Sequence, residues 1–395
     1  MEHGNTLAFV GLAVLLLAWL VRKRQTKGRD VACNRGATGA KKSQSSPLPS
    51  VKPLSSFDWQ AAEPVQFRPF KPIYHITLAL QSTTPEDLIV LDRNYKDRVL
   101  LRRALIAEHA ATVLGVTGSE ETPDPAAPAK AAVDELYRYL MASYLPARYP
   151  TVFVQEQPAG RQSEGTGGAV LHNRVTGATF PCAPPSDPRE ALRILGETVE
   201  DDLFLLQQDN VASVVASSGS TTTTTATGHG SYPSAGHRLV AFLCCFPSGF
   251  DPSAKLGLLL RDIHAPVPAF DKIGPSMERF FARLNADKSV KRLNWSIQTH
   301  PNLFVPAGNH VHDGDCVAAD EDVDMEKTLT RLPATRAVLF SFKTYLFPVP
   351  AIRAEGHGPA LADAIDGLKR GNAPGMWVYK GGIRWGKSVA AYLRS

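Results

Sequence analysis

The sequence predicts an α+β fold: a mainly antiparallel sheet with flanking helices, preceded by an N-terminal transmembrane helix. Three observations predict it. Apolar runs of strand length recur at Tyr74–Leu80, Ala169–Phe180, Arg238–Phe246, Lys291–Thr299 and Ala337–Phe347. Segments with apolar residues at helical spacing lie between them, often without the strand–helix–strand regularity of a parallel sheet. An uncharged, mostly apolar run, Thr6–Val21, precedes both patterns.

As a helix, Thr6–Val21 spans about 24 Å at roughly 1.5 Å per residue. Snorkelling of Arg22 and Lys23 extends it toward a bilayer core of about 30 Å. A cleaved signal peptide carries its positive charge before the apolar run; here the cluster Arg22, Lys23, Arg24, Lys27, Arg29 follows it. The predicted topology is a single-pass signal-anchor with the C-terminal bulk facing the cytosol. Residues 1–21 are therefore read as a membrane anchor and residues 22–55, basic and then Ser/Pro-rich, as a disordered linker. Residues 56–395 form the folded domain.

Within that domain, Tyr74–Leu80 alternates as a strand and Glu86–Leu114 has helical spacing. Ala131–Leu145 is helical up to Pro146. Ala169–Phe180 reads as a hairpin turning near Thr176-Gly177. Arg189–Gln207 reads as a helix with a strongly apolar end, and Arg238–Phe246 as a buried strand stopped by Pro247-Ser248-Gly249. Ser276–Leu284 is a helix; Lys291–Thr299 and Ala337–Phe347 are strands. Four polar or small-residue stretches, near 117–130, 155–168, 213–236 and 308–324, read as loop insertions.

The chain has 395 residues, is 44% apolar and carries a net charge of +5, much of it in the first 42 residues. The remainder is close to neutral, so no nucleic-acid partner is implied. Five scattered cysteines, with no CxxC pair, fit a reducing compartment and give no zinc or iron–sulfur pattern. There is no P-loop, GxSxG, HExxH or strand-linked GxGxxG.

An ordered series of motifs runs through the domain. It begins at Phe67-Arg68-Pro69-Phe70 with Tyr74-His75, then Leu91-Asp92-Xaa-Asn94-Tyr95, Arg98-Xaa4-Arg103 and Leu145-Pro146-Xaa-Arg148-Tyr149-Pro150. It continues through Asp201-Asp202-Leu203, Phe246-Pro247-Ser248-Gly249-Phe250 and Ile263-His264-Ala265-Pro266-Val267-Pro268. Arg292-Xaa-Asn294-Trp295-Ser296, Glu326-Xaa-Thr328-Leu329-Xaa-Arg331-Leu332-Pro333 and Phe340-Xaa3-Thr344-Tyr345 complete it. Over about residues 65–381 the chain resembles the haem-dependent oxidative N-demethylase family, whose best understood members are haem-binding subunits of dimethylamine monooxygenase. The resemblance implies a PAS-like fold, a haem b cofactor, dioxygen and an amine substrate demethylated with release of formaldehyde. It also implies electrons from a separate flavin/NAD(P)H reductase; with the anchor, that donor is expected at a membrane, and the layout resembles endoplasmic-reticulum cytochromes P450.

The residues are read beside this. His264, on a stiff Pro-bounded segment, is the first candidate for the iron ligand; its other reading is a packed core imidazole. His75 is the second candidate and points opposite to Tyr74 if the segment is a strand. The remaining histidines, among them His109, His300 and the loop histidines 229, 237, 310, 312 and 357, read as solvated, and His172 has no obvious partner. Glu326 offers a counter-ion to a protonated alkylamine, or is a surface carboxylate in an acidic run. Arg292 suits a haem propionate, as do Arg68, Arg98 and Arg103. Arg292 and Asn294 share one strand face, with Trp295 on the other as a pocket wall; each also reads as ordinary core packing. Tyr345 lines the distal pocket or is a half-buried strand tyrosine. A non-catalytic haem sensor or carrier, or an anchored interaction protein without haem, is the alternative reading of the whole.

Overall fold

The computed structural model describes residues 49–68, 70–118, 129–157, 168–209, 236–309 and 322–395. The apolar run Thr6–Val21, the basic stretch after it and most of each expected insertion lie outside the described residues. Among the described residues no helix is long and apolar enough to cross a membrane.

The expected α+β class with a mainly antiparallel sheet is what folds. Its strands are β1 (Gln81–Thr83), β2 (Leu114–Val116), β3 (Phe153–Glu156), β4 (Val170–Asn173), β5 (Thr179–Pro181), β6 (Asp202–Gln208), β7 (His237–Leu243), β8 (Ser289–Ile297), β9 (Asp322–Arg331) and β10 (Val338–Phe347). Seven form one sheet in the order β1-β8-β9-β10-β6-β7-β2, and β3-β4-β5 form a smaller one. Every ladder pairing is antiparallel. The longer helices are α1 (Tyr95–Val113), α2 (Ala129–Arg138), α3 (Pro188–Gly196), α4 (Gly274–Arg283), α5 (Val349–Ala354), α6 (Gly358–Gly367) and α7 (Gly382–Arg394).

The large sheet separates two apolar cores. On β6, Leu203 and Leu205 enter the first core, with residues of α1, α2 and α3; Phe204 and Leu206 enter the second, with residues of α4 to α7. This two-sided burial explains why β6, β7 and β10 read as continuous apolar runs rather than alternating ones. Each such Leu or Phe contributes about 1.5–3 kcal/mol by leaving water.

Four expected elements are corrected. Tyr74–Leu80 is not a strand. Its backbone is instead held by the C-terminal helices: Tyr74 N–H donates to Gly367 O, and Asn372 both receives from Ile76 N–H at 2.7 Å and donates to Ile76 O. Gly371, at φ +82, lets that turn approach, since a Cβ there would collide with Tyr74 O. The helix expected from Glu86 begins only at Tyr95, because Ile89 is tied to the Tyr144 and Tyr149 hydroxyls and Asp92 Oδ1 caps Asn94 N–H in a local turn. The helix expected over Ala131–Leu145 runs from Ala129 through a π-turn at Tyr139–Tyr144 to Arg148, with Pro146 in the first turn of its last stretch. The helix expected over Arg189–Gln207 stops at Gly196, and Asp202–Gln208 is a central strand. Its start is as read: the Asp187 side chain caps Arg189 N–H at 2.9 Å, with Pro188 in the first turn. The hairpin at β4–β5 and the strands β7, β8 and β10 agree with expectation.

Candidate functional site

Phe70, Tyr74 and Trp295 pack against the second core, with Asn294 next to Trp295 on β8. Lys380 joins them: its ammonium donates to Asn294 Oδ1 at 3.1 Å and to Trp295 O. It also lies 5.3 Å from the Trp295 ring and 5.5 Å from the Tyr74 ring. Lys380 is only 2% exposed, so these contacts replace its lost hydration. Trp295 meets Phe70 edge to face, and the buried Arg68 guanidinium lies between Phe70 and Phe347 at 5.2 and 5.0 Å while pairing with Glu355. Arg292 stands beside Tyr74. Burial pushes the Tyr74 phenol up, and Arg292 opposes this only in part. Arg292 Nε is buried with no hydrogen-bond partner.

His264 caps the short helix Leu260–Ile263, and its Nδ1 lies 2.8 Å from Leu260 O. A carbonyl can only accept, so Nδ1 carries the hydrogen, and in the neutral ring Nε2 carries the lone pair. The imidazole is half-buried and stacks on Phe270 at 4.7 Å and 9°. Ala269, at φ +58, turns the chain between them. Pro268 packs against Gly375, whose helix leads directly to Lys380. His75, by contrast, is exposed.

Around Lys343 of β10 lies a buried ionic network. Lys343 Nζ donates to Asp92 Oδ2 at 2.7 Å, Glu200 Oε1 at 2.6 Å and Val90 O at 2.7 Å. Burial alone would lower its pKa, but Glu200, Asp92 and Asp201 outweigh this and raise it, so it stays charged. Arg102 pairs with Asp202, whose carboxylate also receives Cys245 N–H at 2.7 Å and Phe246 N–H at 2.9 Å. Arg98 binds Thr344 O and sits 3.9 Å from Glu200, and both arginines lie over the Phe246 ring. Tyr345 flanks the network, with the Lys343 ammonium 5.1 Å from its ring and Phe347 stacked on its far side.

Arg98 and Arg103 are therefore committed, the second to Glu197 and Thr176, and are not placed to hold a propionate. Glu326 occupies the register position between Leu293 of β8 and Lys343 of β10.

The motif residues Asp92, Arg98, Asp202, Phe246 and Thr344 thus converge on one network. Residues 79–390 match the family described as haem-dependent oxidative N-demethylase, alpha subunit-like. The chain belongs to that family. The match excludes Arg68 and His75, which precede it, and includes His264, Arg292, Asn294, Trp295, Glu326 and Tyr345.

The family's haem can be tested against the donors present. A haem needs an imidazole with its lone pair on the outer nitrogen, cations for two propionates and apolar walls. His264 has that tautomer, Arg292 presents an orphaned buried nitrogen, and Trp295, Tyr74 and Phe70 supply walls. An imidazole, a cation for one propionate and apolar side chains are therefore present among the described residues.

Sequence reasoning missed three features. Lys380 gave no motif, and Lys343 lay in an apparently apolar strand. His237, expected in solvent, is 1% exposed, with Nδ1 2.7 Å from Glu278 Oε2 and Nε2 without a partner. His109 is half-buried and stacks on Phe304, and His172 Nδ1 meets the Thr179 hydroxyl at 3.0 Å. Nothing in the sequence linked His237 to Glu278, 41 residues away on α4.

Proposed function

We propose that this chain is a haem-binding monooxygenase-like protein that oxidatively removes a methyl group from an amine, releasing formaldehyde. The observation that carries the reading is the His264 imidazole, anchored through Nδ1 to Leu260 O within a chain of this haem-dependent family. His264 Nε2 would ligate the iron and Arg292 would meet one propionate, while Arg68 would have to exchange its Glu355 partner to meet the other. Bound haem would supply dioxygen activation at iron. The chain's own residues do the rest. Trp295, Phe70 and Tyr74 would exclude water, Glu326 would offset the charge of the protonated amine, and Tyr345, stacked on Phe347 beside Arg68, would line the substrate side of the pocket.

One methyl group, dioxygen, two electrons and two protons give formaldehyde, water and the demethylated amine. The chain has no nucleotide-binding motif of its own, so the electrons come from a separate flavin/NAD(P)H reductase. The domain layout belongs to the same proposal: an anchor at 1–21, a linker at 22–55 and a PAS-like catalytic domain at 56–395 facing the cytosol, the endoplasmic reticulum being the expected membrane. The post-span basic cluster supports it.

The test is formaldehyde release from a methylated amine by the haem-loaded chain with an electron donor. Amine-dependent formaldehyde is expected. Full haem occupancy with no amine-dependent spectral change or turnover would instead assign a haem sensor or carrier.

A further inference from the structure

Residues 367–395 contain Lys369, Arg370, Lys380, Arg384, Lys387 and Arg394 and neither aspartate nor glutamate. Lys380 turns inward to Asn294 and Trp295, while Lys369, Arg370, Lys387 and Arg394 stay exposed. The acids of the preceding helix are already taken: Arg394 holds Asp363 at 2.8 Å and Asp366 at 2.9 Å, and Lys369 lies 3.5 Å from Asp366. Among the described residues no carboxylate pairs with Arg370 or Lys387. The surface they share is therefore positive.

The same face has an apolar centre. The Trp377 ring lies across Gly382 and Gly386 of α7, where a Cβ would collide with it, and the Lys369 ammonium sits 3.9 Å from the ring. Beside Trp377 in sequence, Val378 is 38% exposed; beside Gly382, Ile383 is 48% exposed. Apolar anchors within a charged rim are the make-up of a protein–protein interface. A helix that lies on a membrane instead turns its apolar stripe outward, whereas α7 buries its stripe of Trp385, Val389 and Leu393. The face also sits against the candidate site. Gly375 packs against Pro268, and the helical turn Met376–Tyr379 leads from it to Lys380, which touches Asn294 and Trp295.

We propose that this face docks an acidic electron-carrier protein, whose carboxylates meet Lys369, Arg370 and Lys387 and whose apolar contact covers Val378 and Ile383. Opposite charge steers such encounters, and redox partners bury little area when they meet, so a patch carried by one helix and one turn suffices. Docking follows from the face itself; the delivery of electrons through it rests on the haem reading above.

The test uses flavodoxin, an acidic one-electron carrier, labelled with a dye and titrated with the haem-free chain while anisotropy is read. Saturable binding that weakens with added salt is expected. Lys369→Glu with Lys387→Glu should weaken it at least tenfold with circular dichroism unchanged. Lys96→Glu, an equal charge change at an exposed position of α1 on the first-core side, should leave it unaltered. In the haem-loaded chain, reduced flavodoxin gives up one electron and ferric iron gains it; the Soret shift that follows this should slow in the double variant, while reduction by dithionite should not. Absent binding, binding indifferent to salt, or unchanged affinity in the folded double variant overturns the face. If that variant does not fold, unchanged affinity in Ile383→Asp overturns it. Phosphatidylserine vesicles held by the wild type and released by the double variant, with flavodoxin unbound by either, overturn it in favour of a membrane. A chain that binds flavodoxin but shows no Soret band after haem addition keeps the docking face and loses the enzyme. A haem-loaded chain reduced by flavodoxin equally fast in wild type and double variant does the reverse.

Discussion

Replacing Lys343 with Met keeps the length of the side chain and removes only its ammonium. The ammonium now satisfies Asp92, Glu200 and Val90 O at 2.6–2.7 Å, all within a side-chain environment 0–3% exposed. Removing one partner from a buried pair costs about 3–5 kcal/mol, because the other charge stays behind unsolvated. The Met stem adds less than about 1.5 kcal/mol of packing change. A domain is stable by about 5–15 kcal/mol, so the loss is a large share of the total. Urea unfolding followed by tryptophan fluorescence reads it, as a midpoint lower by about 1 M or more at a slope of about 3 kcal/mol per M. The loss must also depend on pH. Burial holds the Glu200 carboxyl above its usual range, and removing Lys343 takes away the largest charge that opposes this. Groups raised in this way favour folding when protonated, and that contribution disappears as pH rises through the folded pKa. The deficit against wild type should therefore be smaller at pH 5 than at pH 8. A loss under about 1 kcal/mol, or one equal at both pH values, would show that water reaches these carboxylates and would refute the reasoning.

Three further outcomes follow from the same contacts. Burial pushes the Asp201 carboxyl well above the usual range, opposed only in part by Lys343. Asp201→Asn should therefore gain stability relative to wild type as pH rises above about 4; a constant difference in Tm between pH 4.5 and pH 8 would contradict this. Gly386 faces the Trp377 ring so closely that a Cβ there collides with it, so Gly386→Ala should cost about 1–3 kcal/mol, and an unchanged Tm would show that the ring moves freely. Glu326→Gln should weaken amine binding tenfold or more with the Soret band intact; unchanged amine affinity removes Glu326 from the site.

Much of the sheet was legible because β7, β8 and β10 are long apolar or alternating runs bounded by turn residues. β6 was not. Leu192, Leu195, Val199, Leu203 and Leu206 keep a three-to-four spacing straight across the end of α3, so the helical period continued into residues that fold as a strand buried on both faces. The buried charges Glu200, Asp201 and Asp202 were the break in that pattern, and only their tertiary partners explain them. Tyr74–Leu80 failed for a related reason: its alternation is real, but its backbone partners are an asparagine side chain and a helix end rather than a neighbouring strand. At the site, the sequence motifs named Arg68, Trp295 and Asn294, while Lys380, the group that joins Asn294 and Trp295, carries no local signature.

The central claim is that this chain holds haem through His264. The most direct measurement is the visible spectrum of the purified, haem-supplemented chain and of its His264→Ala variant, each with and without an added alkylamine. The account predicts a Soret band that shifts with amine in the wild type and is lost in the variant. Full haem occupancy with an unaltered spectrum in His264→Ala, or no Soret band in either protein, would contradict it.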